Sequence, residues 1–132
     1  MHEVIGHASG QVNPGIDPAV EIKEYYSALE EGRAYLVALY FIGNPNLFEL
    51  GLVDNEDDLK EMQLAAYEAY TRNVMTQLRR IKTGMTIEED HMRNRQMIGS
   101  WLAANTDAIK VEVRDGKTYF RVADVEAWHQ GV

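Results

Sequence analysis

Apolar side chains recur at helical spacing from Pro18 onward: Val20, Ile22, Tyr25, Tyr26, Leu29, Ala34, Leu36, Val37, Leu39, Tyr40 and Phe41. Asp17 is placed to cap this run, Pro18 suits the first helical position, and Gly43-Asn44-Pro45 ends it. Because the second half is apolar on nearly every side, the pattern predicts that it forms the buried centre of the domain. After a short helical turn and connector over 46–54, Asp54 or Asn55 caps a second long helix that runs to about Ile81. It carries Leu59, Met62, Leu64, Ala66, Tyr67, Tyr70, Val74 and Leu78 and closes at Lys82-Thr83-Gly84. Thr86-x-x-Glu89 reads as a capping box that opens a third helix bearing His91, Arg95, Ile98, Trp101 and Leu102. The period then changes. Lys110 to Arg114 alternates, Asp115-Gly116 is a type I′ turn signal, and Thr118 to Val122 returns as the second strand of a hairpin. Asp124 caps a last short helix through Trp128. The expected fold is mainly α: a helical domain of three to four main helices, a C-terminal β-hairpin and a short final helix, with no internal boundary over 1–132.

Composition narrows the function classes. The 132 residues are 45% hydrophobic and 26% charged, an ordinary globular balance able to bury a moderate core. A net charge of −8 argues against a nucleic-acid partner. No apolar run approaches a membrane span and no signal-peptide layout opens the chain, so the expected setting is the cytoplasm with no membrane partner. With no cysteine there is neither a disulfide framework nor a thiolate site.

The chemistry lies before the first long helix. Met1-His2-Glu3-Val4-Ile5-Gly6-His7 holds two histidines and a carboxylate, donors suited to zinc and to a water it activates. In the usual His-Glu-x-x-His zinc helix the ligands are four apart, about 40° around the axis. An interval of five leaves them about 140° apart on a regular helix, too far round to share one ion. Both can bind only if the turn absorbs one extra residue as a π-type bulge, and Gly6, lacking a Cβ, makes that distortion cheap. Glu30-Glu31 lies downstream on the first long helix. Adjacent helical residues point about 100° apart, so one of the pair can complete the site and the other is left to orient a ligand.

Together His2-Glu3-x-x-Gly6-His7-Ala8-Ser9-Gly10 and Glu30-Glu31-x-Arg33-Ala34 resemble the two signature motifs of the dipeptidyl peptidase III family, zinc exopeptidases that remove dipeptides from peptide N-termini. His91-Met92-x-x-Arg95 resembles a third element, and the likeness to the bacterial branch runs over nearly the whole chain. The resemblance implies one zinc ion per chain held by His2, His7 and Glu31, with a fourth position open to water. It implies that Glu3 is the general base and that Glu30 fixes a ligand histidine's tautomer. It further implies a buried pairing for Arg33, an oxyanion-donating role for His91, and contact of Arg95 with substrate or a nearby carboxylate. Members of the family are several times longer, with two lobes around a cleft, so this chain resembles the metal-binding portion of the catalytic lobe. The expected partners are a peptide substrate and either the other lobe or a second copy of the chain.

The chain departs from the pattern at Tyr35, where many relatives carry an acid, and at Gly32, where some carry cysteine. Gly32 costs roughly 1 kcal/mol of helix propensity relative to alanine. His129 has no partner in sequence and is expected at the surface. Two other classes stand beside the peptidase: an inactive zinc-binding helical fragment with a structural or interaction role, and a metal-free four-helix interaction module.

Overall fold

In a computed structural model the chain forms a helical domain closed by a hairpin, with residues 1–78, 86, 87 and 89–132 described. A π-helical turn, His2–Gly6, runs into a 3-10 turn, His7–Ser9. Helices α1 (Pro18–Ile22), α2 (Tyr26–Phe41), α3 (Asn46–Glu49), α4 (Glu56–Leu78) and α5 (Asp90–Asn105) follow. Strands β1 (Ile109–Arg114) and β2 (Lys117–Val122) lead to α6 (Val125–Gln130). The expected close of α4 at Ile81 to Gly84 lies outside the described residues. Among the described residues no helix is long and apolar enough to cross a membrane.

Local chemistry sets most boundaries. Asp17 accepts from the Ala19 amide at 3.0 Å to start α1, Asn55 accepts from Asp58 at 2.9 Å at the start of α4, and Asp124 accepts from Ala127 at 2.9 Å to start α6. The hairpin turn has positive φ at both Asp115 and Gly116, as a type I′ turn requires. Strand pairing sets Ile109 opposite Val122 and Val111 opposite Phe120.

Three expectations are corrected. The run from Pro18 to Phe41 is not one helix: Lys23 takes φ 57°, and a 3-10 turn over Lys23–Tyr25 separates α1 from α2. Thr86 does not cap α5. Glu89 does, its carboxylate accepting from the His91 and Met92 amides at 3.0 and 2.8 Å, where a negative charge also suits the helix dipole. Finally, the second half of α2 is not the buried centre. Tyr40 and Phe41 are exposed, and of this half Leu39 alone is a fully enclosed member of the main core, with Tyr35 and Leu36 half-buried against it and Ala34 buried separately.

That core lies instead where α4, α5, the hairpin and α6 meet. It is built from Tyr67, Tyr70 and Val74 of α4, Ile98 and Leu102 of α5, Ile109 and Val122 of the strands, and Trp128 of α6. Trp128 stacks on Tyr67 with ring centroids 4.0 Å apart. His129 is not a bare surface residue. Its ring stacks on Tyr40 at 5.0 Å and its Nδ1 meets the Tyr67 hydroxyl at 3.0 Å. Tyr67 donates to the Leu39 carbonyl and accepts from Gln63, so the remaining bond is donated by His129 from Nδ1. This triple junction ties the end of α2 to the core and so anchors the helix that carries the paired glutamates.

Candidate metal centre

The interval of five between the histidines is resolved as the helix geometry demands: residues 2–6 wind as a π turn, which returns His7 to the side of His2. Their rings stand edge to face with centroids 4.8 Å apart. Gly6 serves this arrangement, but for a different reason than expected. Its backbone is ordinary right-handed helix, while a Cβ there would sit 2.8 Å from the Ala34 carbonyl oxygen and 3.0 Å from its Cα. The glycine lets the turn lie directly on α2. Gly32 plays the same part on the opposite side, where a Cβ would press on Met97 at 3.2 Å and Asn94 at 3.4 Å. The propensity it costs is offset by the close approach of α5, which carries His91.

With the turn seated on α2, the two glutamates diverge as their 100° offset requires. Glu31 faces both imidazoles: its Oε2 is 3.1 Å from His2 Nε2 and its Oε1 is 3.8 Å from His7 Nε2. A tetrahedral zinc site with bonds of about 2.0–2.1 Å puts its donors about 3.3 Å apart, a separation that these two distances bracket. Glu30 turns the other way. Its Oε1 meets His7 Nδ1 at 3.0 Å, which holds that nitrogen and leaves Nε2 for a metal. Glu3 is exposed beside the cluster, with Oε1 3.9 Å from His2 Nε2, and donor atoms of His2, Glu3 and His7 lie within 4.8 Å of one another.

Arg33 locks Glu30 in place. Its Nε and a terminal nitrogen donate to the two carboxylate oxygens at 2.9 and 2.6 Å, and it also donates to the His7 carbonyl at 3.0 Å and to Ser9 Oγ at 3.2 Å. The hydrogen bonds from Arg33 draw the Glu30 pKa down to about 2, with His7 adding to the effect and burial opposing it. Because the folded-state pKa lies below the unfolded value, this pairing stabilises the fold above about pH 4.5 and is lost as pH falls toward 2. Glu30→Gln should therefore flatten the acid limb of a stability-versus-pH curve between those values, read by urea unfolding of metal-free protein. An unchanged limb would mean that the Arg33 fork does not persist in solution.

His91 arrives from α5 with Nδ1 3.2 Å from Glu31 Oε2, though off the line of a hydrogen bond. Arg95, one turn further on, meets no carboxylate of the cluster. It donates to Gln77 Oε1 at 2.7 Å and to the Tyr35 hydroxyl at 2.9 Å. Tyr35 belongs to the site and was not singled out for it. Its ring lies 4.3 Å from the His2 ring and 6.1 Å from that of His91. The available signal was its position four residues after Glu31, on the same helical face.

Residues 12–127, most of the chain, match the model of Peptidase family M49. Among curated proteins none matches the chain. The matched span contains Glu30, Glu31, Arg33, His91 and Arg95 and begins after His7, so the histidine turn stands outside it while folding onto its second helix. The chain belongs to Peptidase family M49, the dipeptidyl peptidase III family of metallopeptidases.

Proposed function

We propose that the chain carries the zinc centre of a peptidase that releases dipeptides from peptide N-termini, with His2, His7 and Glu31 as ligands. The observation that carries this reading is the π turn, which sets two imidazole Nε2 atoms 3.1 and 3.8 Å from one carboxylate. A bound zinc ion supplies an activated water and polarises the scissile carbonyl. Glu3, exposed and next to His2, takes the proton from the attacking water and passes it to the departing amine. Glu30, itself held by Arg33, keeps His7 in the tautomer that presents Nε2. His91 stands beside Glu31 and donates a hydrogen bond to the oxygen on which negative charge develops.

The test is metal content together with hydrolysis of a dipeptidyl-arylamide by the full chain. One zinc per chain is expected, with Glu3→Gln retaining the zinc while its rate falls about 10²–10⁴-fold. A Glu3→Gln variant as fast as the parent would remove Glu3 as the base. A wild type that binds zinc but cleaves nothing would favour the structural, zinc-binding reading of the same residues.

A further inference from the structure

The histidines of the turn are held in different ways. His7 is fixed through its second nitrogen, Nδ1 meeting Glu30 at 3.0 Å. His2 has no equivalent: its Nδ1 is buried and has no hydrogen-bond partner among the described residues. A ligand histidine usually bonds its far nitrogen to an oxygen, which fixes the orientation of the ring. For His2 that orientation has to come from packing. Its ring meets His7 edge-on at 4.8 Å and Tyr35 at 4.3 Å, tilted by 50°. His7 belongs to the same short turn and the same donor set, so it moves with His2 rather than fixing it. Tyr35 is carried by α2, four residues after Glu31 and on the same helical face. The imidazole of His2 is thus seated across one turn of α2, with Nε2 3.1 Å from Glu31 Oε2 and the ring against Tyr35.

Tyr35 is itself held from the other helices. Its hydroxyl accepts from Arg95 of α5 at 2.9 Å, the Arg95 guanidinium lies 5.4 Å from the ring centroid, and the ring of Tyr70 on α4 packs at 5.7 Å. Arg95 in turn donates to Gln77 of α4 at 2.7 Å. A side chain locked in this way by packing and hydrogen bonds is preorganised to support a neighbour. We propose that Tyr35 is the positioning residue for His2, its ring keeping the imidazole turned so that Nε2 faces Glu31 before any metal arrives. It acts through His2 and through packing alone: an aromatic face fixes the direction of the imidazole and leaves its tautomer free. That this hold raises zinc affinity rests on the reading of His2 as a ligand.

The test compares the full chain with Tyr35→Leu, which removes the ring, and Tyr35→Phe, which removes only the hydroxyl. In the metal-free protein, proton NMR should show a nuclear Overhauser contact between the rings of residues 2 and 35 and a ring-current shift of the His2 signals, identified by their absence in His2→Ala. Both should persist in Tyr35→Phe and vanish in Tyr35→Leu. Zinc affinity, measured by competition with a chelator, should fall about tenfold or more in Tyr35→Leu, as on loss of a ligand's supporting partner, and stay within about threefold of the parent in Tyr35→Phe. Rescue by phenylalanine separates positioning from general stability, because affinity then follows the ring and not the melting temperature. No contact between the two rings in the metal-free parent would overturn the proposal, and this is readable even where Tyr35→Leu does not fold. Parental affinity in Tyr35→Leu, or an equal fall in both variants, would overturn it as well. A ring-dependent contact in a chain that takes up no zinc would sustain the hold of Tyr35 on His2 and dismiss the metal reading. Zinc uptake indifferent to residue 35 would do the reverse.

Discussion

Trp128→Ala is expected to destabilise the chain by about 3–5 kcal/mol, a large part of the roughly 5–15 kcal/mol that holds a domain of this kind together. The indole is fully buried, stacks on Tyr67 at 4.0 Å and meets Tyr70 edge-on at 5.9 Å. Its Nε1 donates to the buried Thr71 hydroxyl at 3.3 Å, a partner the substitution leaves unpaired. No neighbour collapses easily into the space, because the ring lies against two aromatic rings of α4, Tyr67 and Tyr70. Urea unfolding followed by circular dichroism reads the loss. A change below about 1 kcal/mol would mean that α6 is not part of the cooperative core.

Glu31→Ala is expected to weaken zinc binding by more than about a hundredfold. Apparent binding energies of about 10–16 kcal/mol spread over four ligands give one ligand on the order of 3 kcal/mol. Competition with a chromophoric chelator measures it, with Glu30→Ala alongside. Of the two histidines Glu30 meets His7, at Nδ1, while Arg33 holds its other side, so its removal should cost about 10–100-fold through the orientation of that ring. Glu3→Ala completes the set, because its carboxylate also lies near both histidines. If Glu3→Ala lost the zinc and Glu31→Ala kept it, the ligands would be His2, Glu3 and His7, and the general base would have to be sought elsewhere.

The two substitutions probe different parts of one scaffold. The Tyr67 hydroxyl, bonded to Leu39 and His129, joins the end of α2 to the Trp128 core, and α2 presents both glutamates to the histidine turn. A loosened core should therefore also loosen the metal site, so zinc affinity in Trp128→Ala is best compared at a temperature where the variant is still folded.

What the sequence determined by itself was local. The caps at Asp17, Asn55 and Asp124 and the turn at Asp115-Gly116 depend on groups within three residues of one another, and each forms as read. The π turn is likewise local: on a regular helix an interval of five would hold two histidines apart, and helix geometry alone says that only a wider turn brings them together. Membership of the metallopeptidase family was legible for the same reason, since its motifs are short. The tertiary structure decided which carboxylate serves which imidazole, because His2 and Glu31 are 29 positions apart and only the packing of the turn on α2 sets their rotation. It decided that Gly6 is needed for close approach rather than for its own backbone freedom. It decided that α5 delivers His91 to Glu31 while Arg95 turns to Tyr35 and Gln77. It also moved the core from α2 to the junction of α4, α5, the hairpin and α6. A hydrophobic pattern states which side chains seek cover, and only the arrangement of neighbours settles which of them find it.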